Sequence, residues 1–334
     1  MLYVVMIYLW AAILLYLLLG GADFGAGIIE LFTSAKNKSK TRKTMYQAIG
    51  PVWEANHMWL IITIVILFVG FPVIYTTMSV HLHIPLAIML LGIIARGTAF
   101  AFRNYDAVID DMQILYNKIF VYSSFITPLF LGIIAGSAVS GEIDLKASTF
   151  MDAYIFSWFN FFSFAVGFFT VTTCGYLAAI FIIGESDTED DKKRFIRKAK
   201  HFLTAALSSG LLVFVAAYFE HIPISEWIFG NPVGILATST AGISLLIQFR
   251  LLNKGKVGPE RIFAGFQVAM ILLTVTVKHY PNIVILKGGG YLSLLEQAGH
   301  EQAIYWLGVT LLLGSIFILP ALIYLLYSFH KKPI

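Results

Sequence analysis

Asp23, Glu54, His57 and Arg96 stand inside long apolar stretches of this chain. A charge in hydrocarbon costs roughly 2.5–3.5 kcal/mol on insertion scales, so such residues are rare, usually paired, and often line ion or proton routes. Their types suit proton handling. Two carboxylates can take and release a proton, an imidazole titrates near neutrality, and a guanidinium stays charged and can hold a carboxylate. Glu54 and His57 are three residues apart, which puts them on one helix face. Gly21 and Gly25 flank Asp23 in a small-xxx-small pattern that permits close helix approach. Asn56 and Thr98 could extend the hydrogen bonding.

The elements that must position these residues are membrane helices. Of the 334 residues, 58% are hydrophobic and only 13% charged, about half the charge of a soluble domain. Nine apolar segments are long enough to cross a ~30 Å hydrocarbon layer: 2–32, 49–76, 80–103, 116–138, 154–183, 200–220, 231–251, 259–280 and 303–328. The fifth is long enough to tilt or to extend past the bilayer, and Pro72, Pro128 and Pro320 are candidate kinks or stops. Nineteen of the 23 Lys and Arg follow spans one, three, five and seven or end the chain. Only Lys146, Lys278 and Lys287 fall on the opposite side. The positive-inside rule then puts the N-terminus outside and the C-terminus in the cytoplasm. Met1 to Gly20 lacks a basic leader and reads as a retained first span.

At ~1.5 Å rise per residue, Asp23 lies ~13 Å from an inner boundary near Phe32. On the same rise, Glu54 and His57 lie ~8 and ~12 Å from one near Ile49, and Arg96 ~10 Å from one near Arg103. Three consecutive spans thus bring all four to one inner layer. Asp23 and Glu54 outnumber Arg96, which leaves one carboxylate unbalanced and able to take protons from the inner side. The plainer alternative is a salt-bridge network that only fixes packing.

The fold expected is all-α: a polytopic membrane protein forming one integral domain over 1–334. Spans one to four (1–138) and five to eight (154–280) read as two four-helix bundles, with the ninth helix (303–328) peripheral. The loops 33–48 and 184–199 resemble each other in charge and length, in keeping with two repeats.

Several chemistries find no footing. Cys174 is the single cysteine, so there is no internal disulfide or cysteine metal cage. His81, His83, His221 and His279 sit near outer span ends, His201 begins a span in a basic loop, and His57 has no histidine at its depth. None of these forms an obvious bis-histidine haem pair. Thr170, Thr172, Thr173, Ser208 and Ser209 suit helix–helix or backbone bonding. The run Glu185 to Lys200 reads as a solvated face. Lys287-Gly288-Gly289-Gly290 reads as a turn, without the pattern of a phosphate loop. The net charge of +4 is explained by topology and is no nucleic-acid signal.

The charged layer lies within a set of strings: Gly21-Ala22-Asp23-Phe24-Gly25-Ala26-Gly27, Gly50-Pro51-Val52-Trp53-Glu54-Ala55-Asn56-His57-Met58-Trp59-Leu60, Phe71-Pro72-Val73-Ile74-Tyr75, and Arg96-Gly97-Thr98-Ala99-Phe100-Ala101-Phe102-Arg103. In this order and spacing they resemble subunit II of the cytochrome bd-type quinol oxidases. The resemblance implies a subunit of a quinol:dioxygen oxidoreductase that contributes no complete active site. It implies a partner, subunit I, holding two haems b and one haem d and oxidising the quinol, with none ligated here. A small single-span accessory subunit and membrane lipid or quinone are further implied partners, in a bacterial cell membrane. It also implies that Asp23 and Glu54 lie on a cytoplasmic proton route, with His57 relaying or tuning them and Arg96 and Arg103 holding the network. Where many members carry an acid in the last string, this chain has Ala101. Trp59 resembles part of a dioxygen entry seen in some members. A proton-coupled secondary transporter built on the same layer is the competing reading. It would favour a matching ionisable residue in the second half, and none is evident there.

Overall fold

The computed structural model describes residues 1–50, 53–105, 111–186, 188–254 and 259–330. Pro51 and Val52 of the second string, and Lys256, Lys331 and Lys332 of the charge census, lie outside them. Among the described residues nine helices are long and apolar enough to cross a membrane. They are Leu2–Leu31, Trp53–Gly70, His83–Tyr105, Asp111–Ser140, Phe161–Ile183, Glu189–Phe219, Pro232–Lys254, Pro259–His279 and Glu301–His330. These are spans one to nine. The all-α membrane fold stands as expected from the hydropathy pattern.

Boundaries depart from expectation where polar chemistry overrides hydropathy. Span two ends at Gly70 instead of running to 76. Pro72 opens a separate helix, Pro72–His81, and Phe71 leaves helical geometry at φ −139°, because the residue before proline is driven to extended backbone. Span five starts at Phe161, not 154, and is an ordinary 23 residues. Its start is fixed by carboxylate and amide oxygens. Asn160 Oδ1 accepts from Ser163 N at 2.8 Å, and Glu220 accepts from Phe161 N at 2.7 Å and Phe162 N at 3.0 Å. Three amides with no helical partner are thereby satisfied. Helices run unbroken past Pro128 and Pro320.

The two basic connections are largely helical. Ala35–Ile49 forms its own helix, and span six begins at Glu189, where Thr188 Oγ1 accepts from Asp191 N. The run expected to be a solvated face is therefore only partly so. Asp191, Phe195 and Ala199 are buried, and Asp191 pairs with Lys40 at 2.6 Å and Arg194 at 3.1 Å, tying the two connections together. The segment before span nine holds a hairpin, Asn282–Ile285 against Tyr291–Ser293. Gly288 and Gly289 supply its turn at φ +81° and +85°, a region open to glycine.

Span five lies deepest, with Phe162, Ala165, Leu177, Ala178, Ala179 and Ile180 all at most 1% exposed. It packs against spans one, four, six and eight. The glycines around Asp23 serve this contact. A Cβ on Gly25 would collide with the carbonyl of Cys174 in span five, so only a residue without a side chain allows the approach. Span nine lies against spans one and two and leaves most of its apolar surface open.

Candidate functional site

Asp23 of span one is 0% exposed, and spans two, three and four build its polar surroundings. Arg96 Nη2 donates to Asp23 Oδ1 at 2.7 Å and to the Asp23 carbonyl at 2.9 Å. Arg96 Nε donates to Ser124 Oγ at 3.0 Å, and Ser124 donates in turn to the Phe120 carbonyl at 2.6 Å. The guanidinium lies 5.1 Å from the Phe24 ring centre and 4.9 Å from that of Phe120. Aromatic faces partly replace the water lost on burial.

The other carboxylate oxygen is less engaged. His57 Nε2 of span two stands 3.5 Å from Asp23 Oδ2, too long for a well-formed hydrogen bond. Asp23 Oδ2, His57 Nδ1 and Arg96 Nη1 are all buried and have no hydrogen-bond partner. One oxygen of Asp23 is thus fixed and the other is open to accept a proton. An imidazole beside it can take a proton on one nitrogen and release one from the other.

Three of the four expected residues therefore meet: Asp23, His57 and Arg96. Glu54 does not join them. It is exposed on the surface of the chain, and among the described residues it has no ion pair or side-chain hydrogen bond. Asn56 is buried and Thr98 exposed, and neither extends the hydrogen bonding.

Arg103 serves a second acid that the sequence reading passed over. Glu30, 0% exposed, accepts from Arg103 Nη1 at 2.8 Å on Oε2, and from Arg42 Nη2 at 2.8 Å and Nε at 3.0 Å on Oε1. The count of one surplus carboxylate is thereby overturned. In spans one to four the buried acids among the described residues are Asp23 and Glu30, and Arg96, Arg103 and Arg42 more than balance them. A signal for this was present. Asp23–Arg96 and Glu30–Arg103 share one sequence separation, 73 residues. Seven residues are close to two helical turns, so both pairs stack on the same two faces.

The second half also holds buried polar groups. Gln267 Nε2 donates to Gln248 Oε1 at 2.7 Å, and Gln248 Nε2 donates to the Glu260 carbonyl at 3.0 Å. The Tyr176 hydroxyl donates to both glutamine oxygens. Glu260 itself is 3% exposed. It escaped notice because it begins span eight beside a loop, where hydropathy does not mark it as intramembrane. As expected, Thr170 bonds backbone and Thr172 bonds Ser209 across spans five and six at 2.8 Å. His81 and His83 pack on Tyr154, and His279 on Trp227.

The chain matches the family described as cytochrome bd terminal oxidase subunit II over residues 1–329. It is 23% identical over 321 residues to the cytochrome bd ubiquinol oxidase subunit 2 of Bacillus subtilis, covering 95% of this chain and 92% of that one. It is 26% identical over 144 residues to the cytochrome bd-I ubiquinol oxidase subunit 2 of Escherichia coli K12, a match to 42% of this chain and 37% of the other. Its fold is similar to a chain of the bd oxidase from Geobacillus thermodenitrificans, with a TM-score of 0.76 and 20% identity, covering 99% and 100% of the two chains. With nearly every residue inside the family match and the nine-helix fold shared end to end, this chain belongs to the cytochrome bd terminal oxidase subunit II family.

Proposed function

We propose that this chain carries protons from the cytoplasm for a quinol-oxidising, dioxygen-reducing complex, and holds the haem-bearing subunit I in its loaded form. The half-engaged carboxylate of Asp23 carries this reading. It is buried, fixed on one oxygen by Arg96, and open on the other beside His57. Arg96 keeps the carboxylate from turning. His57 passes a proton to or from the free oxygen. The haems, two b and one d, belong to subunit I and supply electron transfer and dioxygen chemistry there. His57 faces Asp23, while His81, His83 and His279 each turn Nδ1 to a backbone carbonyl.

Glu54 fits the same reading by its exposure. It shares a helical stripe with Ile61 and Phe68, both 60% exposed. A carboxylate on a lipid-facing stripe is costly. Subunit I covers this stripe, and Glu54 stands on the seam where protons leave this chain. The basic end of the bundle faces the cytoplasm, with the N-terminus outside, because Lys and Arg concentrate on inner loops. Spans one to four and five to eight act as two four-helix units with span nine at the edge.

The test uses the assembled oxidase carrying Asp23→Asn or Glu54→Gln. Quinol turnover is expected to drop while the visible haem spectrum stays intact. Full turnover in both variants would end the proton role, and loss of the haems would make the charges structural. Purification of the tagged chain is expected to bring down a partner with haem d absorption.

A further inference from the structure

Tyr16 opens a π-helical turn, Tyr16–Gly20, directly before the helical stretch Gly21–Leu31 that carries Asp23. Such turns recur at functional sites because they re-aim the side chains around them. The Tyr16 ring leans toward the C-terminal end of its own helix. A Cβ on Gly20 would stand 2.8 Å from both Cδ2 and Cε2 of that ring. Helical side chains ordinarily lean the other way, so Gly20 makes room for a ring set near Phe24 and His57. The ring centre is 6.3 Å from those of Phe24 and His57.

Tyr16 is 4% exposed, and its hydroxyl is buried with no hydrogen-bond partner. Three other atoms in this neighbourhood share that condition: Asp23 Oδ2, His57 Nδ1 and Arg96 Nη1. Trp59 Nε1 is a fifth, and Trp59 packs in one apolar cluster with Tyr16 and Phe24. Each unsatisfied buried polar group costs about 1–3 kcal/mol. A phenylalanine at position 16 would fill the same volume without that cost. Unpaired buried polar atoms on residues this close are the kind that bound water satisfies, a water needing two to four polar partners. The charged and titratable groups around Tyr16 are Asp23 on its own span, His57 on span two, Arg96 on span three and Cys174 on span five.

We propose that Tyr16 is a proton-relaying hydroxyl of the Asp23 site, linked through bound water to Asp23 Oδ2 and His57 Nδ1. This rests on the proton reading above and extends it away from the basic end of the bundle. The hydroxyl oxygen accepts a proton from one neighbour while its own proton goes to the next. One O–H bond forms, one breaks, and the residue ends neutral.

The test measures quinol turnover per haem in the assembled oxidase. Tyr16→Phe is expected to lower kcat about tenfold, less than the ~100-fold that losing a positioned proton donor can cost, because water stands in. KM for quinol and the haem spectrum are expected to stay as in the wild type. Gly20→Ala keeps the hydroxyl but displaces the ring, and is expected to lower kcat in the same way. Asp23→Asn is run beside them. If it slows turnover while both other variants keep the wild-type rate, Tyr16 has no part and the Asp23 reading survives. If Asp23→Asn is itself at the wild-type rate, the site reading falls and Tyr16 falls with it. If Tyr16→Phe loses haem, the kcat of Gly20→Ala decides. Haem loss in both makes Tyr16 a packing residue and overturns the proposal.

Discussion

Span one carries two buried acids, Asp23 and Glu30, and each faces an arginine 73 residues further along. Their surroundings differ in one respect. Both oxygens of Glu30 are taken, one by Arg103 and one by two donors of Arg42. Asp23 has one oxygen held by Arg96 and another facing His57 across 3.5 Å. A saturated carboxylate has nowhere to put a proton without breaking ion pairs that low dielectric makes strong. A half-saturated one can accept a proton and keep its anchor. A carboxylate facing an arginine is thus fully paired near the basic end and half-engaged two turns deeper.

Glu30→Ala should break the comparison hardest. It leaves Arg103, buried beneath the Phe120 ring, without its counter-charge, and breaking a buried pair costs about 3–5 kcal/mol. The expected outcome is little assembled, haem-loaded complex, read from the haem content of purified membranes. A normal yield with slowed turnover would exchange the roles of the two acids. Asp23→Asn should come next, with an isosteric side chain still able to meet Arg96. Turnover drops and assembly holds, measured as quinol oxidation against haem absorption. Arg42→Ala should cost least, about 1 kcal/mol or less, since the Arg42 side chain is 30% exposed and its pair is screened. A small lowering of the thermal midpoint with unchanged turnover is the expected result. A large loss would mean that Arg103 alone cannot hold Glu30.

The second half offers a further contrast. Tyr176, Gln248 and Gln267 form a network of neutral donors and acceptors across spans five, seven and eight. A neutral network joins helices without placing charge in the membrane.

Much of the first site was legible in residue types. Asp23, His57 and Arg96 were visible because charge inside an apolar run is conspicuous, and equal depth along three spans brought them together. Glu30 was not, because it sits within two residues of its helix end and looks like a boundary residue. Glu54 was legible as an intramembrane charge but was assigned to the wrong side of its helix. The i,i+3 rule puts Glu54 and His57 on one broad face, yet the 60° between them is enough to turn His57 inward and leave Glu54 exposed. The break at Phe71–Pro72 and the start of span five at Asn160 were blurred because hydropathy runs through both.

The sequence by itself determined the number of spans, the all-helical fold and the inventory of intramembrane charges, since each depends only on order along the chain and on the cost of polar groups in hydrocarbon. Tertiary structure decided which acid meets which arginine, which oxygen stays free, and that the Tyr16 ring lies against Gly20 near His57. These depend on the rotation of each helix about its axis and on close approach at glycines such as Gly20 and Gly25. No one-dimensional pattern specifies that rotation, because it is set by packing among neighbouring spans.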